Sequence, residues 1–119
     1  MQMDAPQLCP LAYVVDGDTL RCGSIRLRLL GIDAPELAGH CPTYRTCVPG
    51  DGLASKRSLI DALHNGRLTY SVVTTDRFGR AVVMAWAGQS NLSCWQLRRG
   101  QAIYKPRWDN GGLVAAACR

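Results

Sequence analysis

From Leu8 to Leu30 the chain reads as extended ribbon punctuated by turns: LCPLAYVV, a tight turn at Asp16 to Thr19, TLRC, a break at Gly23 and Ser24, then IRLRLLGI. Apolar and β-branched runs bounded by Asp, Gly and Ser predict a three-stranded meander. In the third segment successive side chains point to opposite faces, so Ile25, Leu27 and Leu29 line one side while Arg26 and Arg28 face the other.

After Glu36 comes a loop rich in Gly, Pro and Cys that ends at Pro49, Gly50, Asp51 and Gly52. Asp51 is placed to cap a helix with Leu53, Ile60 and Leu63 on one stripe and Leu59 beside it, stopped by Asn65 and Gly66, with Lys56 and Arg57 left to solvent. RLTYSVVTT (67–75) and AVVMAWA (81–87) read as strands joined by the charged turn DRFGR. A second helix is expected from Asn91 or Ser93 to Arg99, stopping at Gly100 and burying Leu92, Leu97 and either Trp95 or Gln96. The tail predicts a short strand and one or two helical turns. The expectation is an α+β, mainly β fold: a five-stranded OB-type barrel with two to three helices, forming a single domain over residues 1–119. Such barrels carry ligands on the strand face and in the loops, so the architecture names a place and no chemistry.

Fourteen Lys and Arg against nine Asp and Glu give a net charge of +5, and all but two of the cations are Arg. Arginine favours forked contacts to carboxylate or phosphate, which suits a polyanionic partner. Six cysteines (Cys9, Cys22, Cys41, Cys47, Cys94 and Cys118) are many for this length and fit a disulfide-bonded exported domain. Many pairings are open; the reading favours Cys41 with Cys47 as a local loop, Cys94 with Cys118 tying down the last segment, and Cys9 with Cys22 across the first hairpin. Zinc competes through His40, Cys41 and Cys47, but the sequence holds no C-x-x-C pair. No stretch of roughly eighteen apolar residues predicts a membrane span, and the start lacks a signal peptide's pattern. The expected location is periplasmic or secreted, with the leader absent from this chain.

Three charged clusters ask for a common explanation. Asp16 and Asp18 lie at a turn, Asp33 and Glu36 flank Pro35, and Arg80 closes DRFGR; each alone is explained by turn and loop chemistry. Together they match a task. Two carboxylates and a carbonyl hold a hard cation such as calcium, a further carboxylate handles a water proton, and two guanidiniums neutralise a phosphoryl centre.

DGDT, then RLLGIDAPE, then DRFGR, with a helix between the last two, resembles the staphylococcal nuclease (thermonuclease) family over about residues 12 to 104. The resemblance implies Ca2+ ligands at Asp18, Asp33 and the backbone carbonyl of Ala34. It implies Glu36 as the residue activating water, and Arg28 and Arg80 as the arginines that grip phosphate. The activity implied is a phosphodiesterase that cuts DNA and RNA without regard to the sugar and leaves 3'-phosphate ends. Arg77 and Phe78 stand where the family has a cation and an aromatic beside the nucleotide, and Tyr104 resembles its aromatic near the base.

The expected partners are DNA and RNA, preferably single-stranded or unpaired, bound by a monomer. Asp16 is read as closing its turn, Asp76 as shaping the second hairpin, His40 and His64 as surface residues, and Trp86, Trp95 and Trp108 as packing groups. The chain departs from the family after Glu36, where a cysteine-bearing segment stands. The alternative is a catalytically silent OB-type module that binds nucleic acid, against which stands the retention of Asp18, Arg28, Asp33, Glu36 and Arg80.

Overall fold

The computed structural model describes residues 3–119, so the first two residues of the expected 1–119 domain lie outside the described residues. The first expected strand is in fact two. β1 (Gln7–Cys9) and β2 (Ala12–Asp16) are separated at Pro10, which has no N–H to give to a ladder. β2 continues into β3 (Thr19–Cys22) and β4 (Ile25–Leu29) as the predicted meander, and β5 (Ile32–Asp33) follows as a short hook. Then come α1 (Gly52–Ala62), the long hairpin of β6 (Leu68–Thr75) and β7 (Ala81–Ala87), β8 (Ser90–Asn91), α2 (Leu92–Arg98), β9 (Ile103–Tyr104) and α3 (Leu113–Ala117).

The main sheet runs β1-β6-β7-β4-β3-β2, with β8 paired to β7 and a separate β5-β9 pair. β1 lies antiparallel to β6, and β4 pairs parallel with β7. The two ends of this path, β1 and β2, are neighbours in the chain, so a few residues' reach compels the sheet to curl into a half-barrel. Bulges between Val14 and Asp16 and between Val72 and Thr74 sharpen that curl. Inside lie Leu20, Leu27, Leu29, Ile32, Leu59, Leu68, Val83 and Leu92, all at most 4% exposed. The fold is α+β and mainly β, of OB-like form, with three helices.

Asp51 caps α1, accepting from Leu53 N and Ala54 N. The helix does not bury the stripe its leucines suggest: Leu53 and Ile60 are exposed, and Gly52, Ser55, Ser58, Leu59 and Ala62 face inward. The reason is proximity. Ser55 sits so close to the Asp16–Asp18 turn that a Cβ on Gly17 would fall 1.9 Å from its Oγ, so only small residues fit at this contact. Gln96 of α2 seals the gap, donating to the carbonyls of Gly17 and Ser55 at 2.7 and 2.9 Å. α2 is capped by Asn91 and buries Leu92 and Gln96, leaving Trp95 and Leu97 only partly buried.

Three disulfides join Cys9 to Cys22, Cys41 to Cys47 and Cys94 to Cys118, leaving no free cysteine among the described residues. The first ties β1 to β3 across the curl, and the last ties the end of the chain to α2. Three such bridges are the pattern of a protein that folds outside the reducing cytoplasm. Among the described residues no helix is long and apolar enough to cross a membrane.

Candidate active site

The site begins at the turn between β2 and β3. Asp16 Oδ1 accepts from Asp18 N at 3.1 Å, which closes the turn and turns the Asp18 carboxylate toward the exit of β4. There Asp18 Oδ2 accepts from Ala34 N at 2.8 Å and Oδ1 accepts from Thr19 Oγ1 at 3.1 Å. Arg28 leaves β4 on the face opposite Leu27 and Leu29, as the alternation requires. That face is not open to water, however, and Arg28 is only 8% exposed. It forms an ion pair with Asp18 Oδ2, approaches Asp33 Oδ1 at 3.7 Å, and donates through Nη2 to Ile32 O at 3.1 Å.

Burying charges is costly unless they are paired, and the protonation tendencies record that balance. Burial pushes the Asp18 carboxyl up, but the Arg28 charge and the Ala34 N–H outweigh it and hold Asp18 below the usual carboxylate range. Asp16 has no such counter-ion; burial, then the neighbouring Asp18, push it up to about 7. Glu36 is raised by burial and by Asp18, with Arg45 opposing. Arg45 comes from the cysteine-bearing loop, placing Nη2 2.9 Å from Asp33 Oδ2 and Nη1 4.0 Å from Glu36 Oε1. Gly52 permits this assembly, because a Cβ there would lie 2.1 Å from the Glu36 carbonyl oxygen.

The second half of the site is the β6–β7 turn. Asp76 Oδ1 accepts from Phe78 N and Arg80 N, both at 2.9 Å, and Oδ2 accepts from Arg80 Nε at 2.7 Å. Asp76 therefore shapes the hairpin and orients Arg80. Arg77 and Arg80 both stack on Phe78, at 5.0 and 5.4 Å from its centroid. Arg26 of β4 donates to Phe78 O at 2.6 Å and pins the turn to the sheet.

A groove of about 640 Å³ joins the two halves, lined among others by Arg28, Arg45, Arg77, Phe78, Arg80 and Trp108. Asp18, Asp33 and Glu36 lie behind it, reached through Arg28 and Arg45. Tyr104 is outside this lining and donates its hydroxyl to the buried Asp109. Trp108 is not the packing group its sequence suggested: it is 41% exposed, with Arg28 at 5.5 Å and Lys105 at 4.9 Å from its ring. Tyr44, Arg45, Arg107 and Trp108 were not singled out as site residues in the sequence. Only the cysteines bracketing Tyr44 and Arg45 hinted that this loop is held in place. A smaller hollow of about 420 Å³ between α1 and α2 mixes Asp51 and Asp61 with Arg57 and Arg99, away from the acid cluster.

Asp33 Oδ1 is buried and has no hydrogen-bond partner, so an acceptor is left over beside a second carboxylate, Asp18. Hard oxygen donors of this kind suit calcium. Among the described residues, however, no three Asp, Glu, His or Cys side chains are grouped to hold an ion, and both Asp18 oxygens are already engaged by Arg28, Ala34 N and Thr19 Oγ1.

A family model described as staphylococcal nuclease homologue matches residues 26–113. The match includes Arg28, Asp33, Glu36 and Arg80 and begins after the DGDT turn that carries Asp18. The chain is 32% identical over 108 residues to the succinoglycan biosynthesis protein ExoI of Rhizobium meliloti (strain 1021), covering 89% of this chain and 56% of that protein. With the model matching most of its length, the chain belongs to the staphylococcal nuclease family.

Proposed function

We propose that this protein is an exported, calcium-dependent, sugar-nonspecific nuclease that hydrolyses DNA and RNA to 3'-phosphate products, acting as a monomer in the periplasm or outside the cell. The observation that carries the reading is the convergence of Arg28, Arg45 and Arg80 on one groove, with Asp18 and Asp33 beside Arg28 and Glu36 beside Arg45. Calcium held by Asp18, Asp33 and the Ala34 carbonyl would supply positive charge that polarises the phosphodiester and orients water.

The chain's own groups do the rest. Glu36, held above an ordinary carboxylate, is the better proton acceptor for the attacking water. Arg28 and Arg80 offer charge-assisted hydrogen bonds to the phosphoryl oxygens as negative charge builds. Arg80 bonds Asp76 through Nε, leaving its Nη nitrogens for phosphate. The water oxygen joins phosphorus as Glu36 takes its proton, the bond from phosphorus to the 5'-oxygen breaks, and that oxygen takes a proton from solvent as it leaves, the proton on Glu36 returning to solvent. Arg77, Phe78 and Tyr104 are the proposed nucleotide contacts.

The test is cleavage of plasmid DNA and of labelled RNA in calcium, in magnesium and in chelator. Both should be cut in calcium, poorly in magnesium because that ion insists on octahedral geometry and retained water, and not in chelator. Absence of calcium-dependent cleavage would overturn the reading. A silent binding module is the second reading, favoured by the internal pairing of Arg28 with Asp18 and of Arg80 with Asp76, which a phosphate must outcompete. It predicts salt-sensitive binding and no cleavage.

A further inference from the structure

The segment between Cys41 and Cys47 carries two groove residues that the chemistry above does not use. Residues 34–51 contain no helix or strand, so the loop's shape depends on side-chain anchors. Around Tyr44 two of these anchors act directly: the Cys41–Cys47 bridge that brackets it and the ion pairs of Arg45 with Asp33 and Glu36. Tyr44, beside Arg45, is 72% exposed yet lines the same groove as Phe78 and Trp108. Three exposed rings with arginines between them form a surface on which flat, apolar faces and phosphates are bound together. Unpaired nucleotides present both, whereas a duplex hides its base faces in its own stack. The groove volume is that of a whole-ligand site, larger than one phosphate requires.

We propose that Tyr44, Arg45 and Trp108 form a subsite for a nucleotide flanking the scissile phosphate, and that this subsite selects single-stranded nucleic acid. The proposal rests on the nuclease reading for the position of the scissile phosphate. The rings stack on bases, Arg45 meets the adjoining phosphate, and the Cys41–Cys47 bridge holds the loop in register with Arg28. Arg45 also orients Asp33 and Glu36, so Tyr44 and Trp108 provide the cleaner test.

Tyr44→Ala, Trp108→Ala and the double variant Cys41→Ser/Cys47→Ser are compared with the wild type. The probes are a labelled oligothymidylate, the same strand in a duplex, and an aryl phosphodiester of a single nucleoside. Binding is read by anisotropy in chelator and cleavage by KM and kcat in calcium; thermal unfolding confirms that each variant is folded. Each alanine variant should raise Kd and KM for the single strand by about tenfold, the scale of one lost stacking contact, and Tyr44→Ala should do so with kcat unchanged, whereas Trp108 also touches Arg28. For Tyr44→Ala, duplex binding and cleavage of the single-nucleoside substrate should stay within about twofold. The double serine variant should reproduce the single-strand loss.

Unchanged Kd and KM in both alanine variants, with a wild type that cleaves, would overturn the subsite and leave the nuclease standing. Tyr44- and Trp108-dependent binding by a wild type that cleaves nothing would overturn the nuclease and leave the subsite. If Trp108→Ala unfolds, Tyr44→Ala decides alone, since its side chain is largely in solvent.

Discussion

The Asp18–Arg28 pair and the Asp76–Arg80 pair consist of the same two side-chain types, yet they sit at opposite ends of the range of ion-pair physics. Asp18 and Arg28, each at most 10% exposed in its side chain, meet between the β2–β3 turn and β4, with Asp18 accepting from Ala34 N and Thr19 Oγ1 and Arg28 donating to Ile32 O. Asp76 and Arg80 lie four residues apart in one turn, each more than a fifth exposed. A buried pair is needed because removing one partner strands the other charge in a dry interior; a surface pair exchanges easily with water. The first pair therefore serves as a fixed part of the frame. The second is an arginine on a short tether, suited to meeting an incoming phosphate.

The contrast breaks most visibly at Asp18. Asp18→Ala should cost about 3–5 kcal/mol in denaturant unfolding, because it leaves Arg28 buried without its counter-ion. A loss under about 1 kcal/mol, the scale of an exposed pair, would erase the distinction. Next comes Arg80→Ala, expected to lower turnover at least about 100-fold, as for other preorganised donors to a developing charge, while barely moving the unfolding midpoint. Comparable losses of stability for Arg80→Ala and Arg28→Ala would show that the hairpin is as much frame as the strand.

A sharper form of the same comparison uses Gly17, where the frame leaves no room for a Cβ. Gly17→Ala should destabilise by about 1–3 kcal/mol through overpacking against Ser55 and should lower turnover by displacing Asp18. The smallest effect belongs to Asp76→Ala, about 1 kcal/mol or less near neutral pH. Slight burial raises the Asp76 carboxyl, but the Arg80 N–H and guanidinium outweigh it and hold it below its ordinary value of 3.8. A depressed acid stabilises the fold above its unfolded pKa and loses that contribution as pH falls through its folded pKa. The stability gap between wild type and Asp76→Ala should accordingly close on acidification below about pH 4, and a gap that widened there would reverse the assignment.

Much of this was legible in the residues themselves. Period-two alternation placed Leu27 and Leu29 inside and Arg28 on the other face, and Asp51 and Asn91 marked helix starts because orphan N–H groups need an acceptor wherever a helix begins. Asp76 could be read as a turn organiser because its partners, Phe78 N and Arg80, lie within four residues. These are local facts, and local chemistry fixes them whatever the rest of the chain does.

What the sequence by itself determined was therefore the longer elements and their order, while the break at Pro10 and the two-residue strands β5 and β8 escaped it. Tertiary structure decided where each face was buried and which charges met. α1 turned serines inward in place of Leu53 and Ile60, because the close approach of Gly17 to Ser55 is a contact between residues 38 apart. Arg45 reached Asp33 because a disulfide folded its loop back, and Trp108 came beside Arg28 from the far end of the chain. Side-chain periodicity reports on one element at a time, whereas burial and charge pairing depend on which elements the curled sheet brings together.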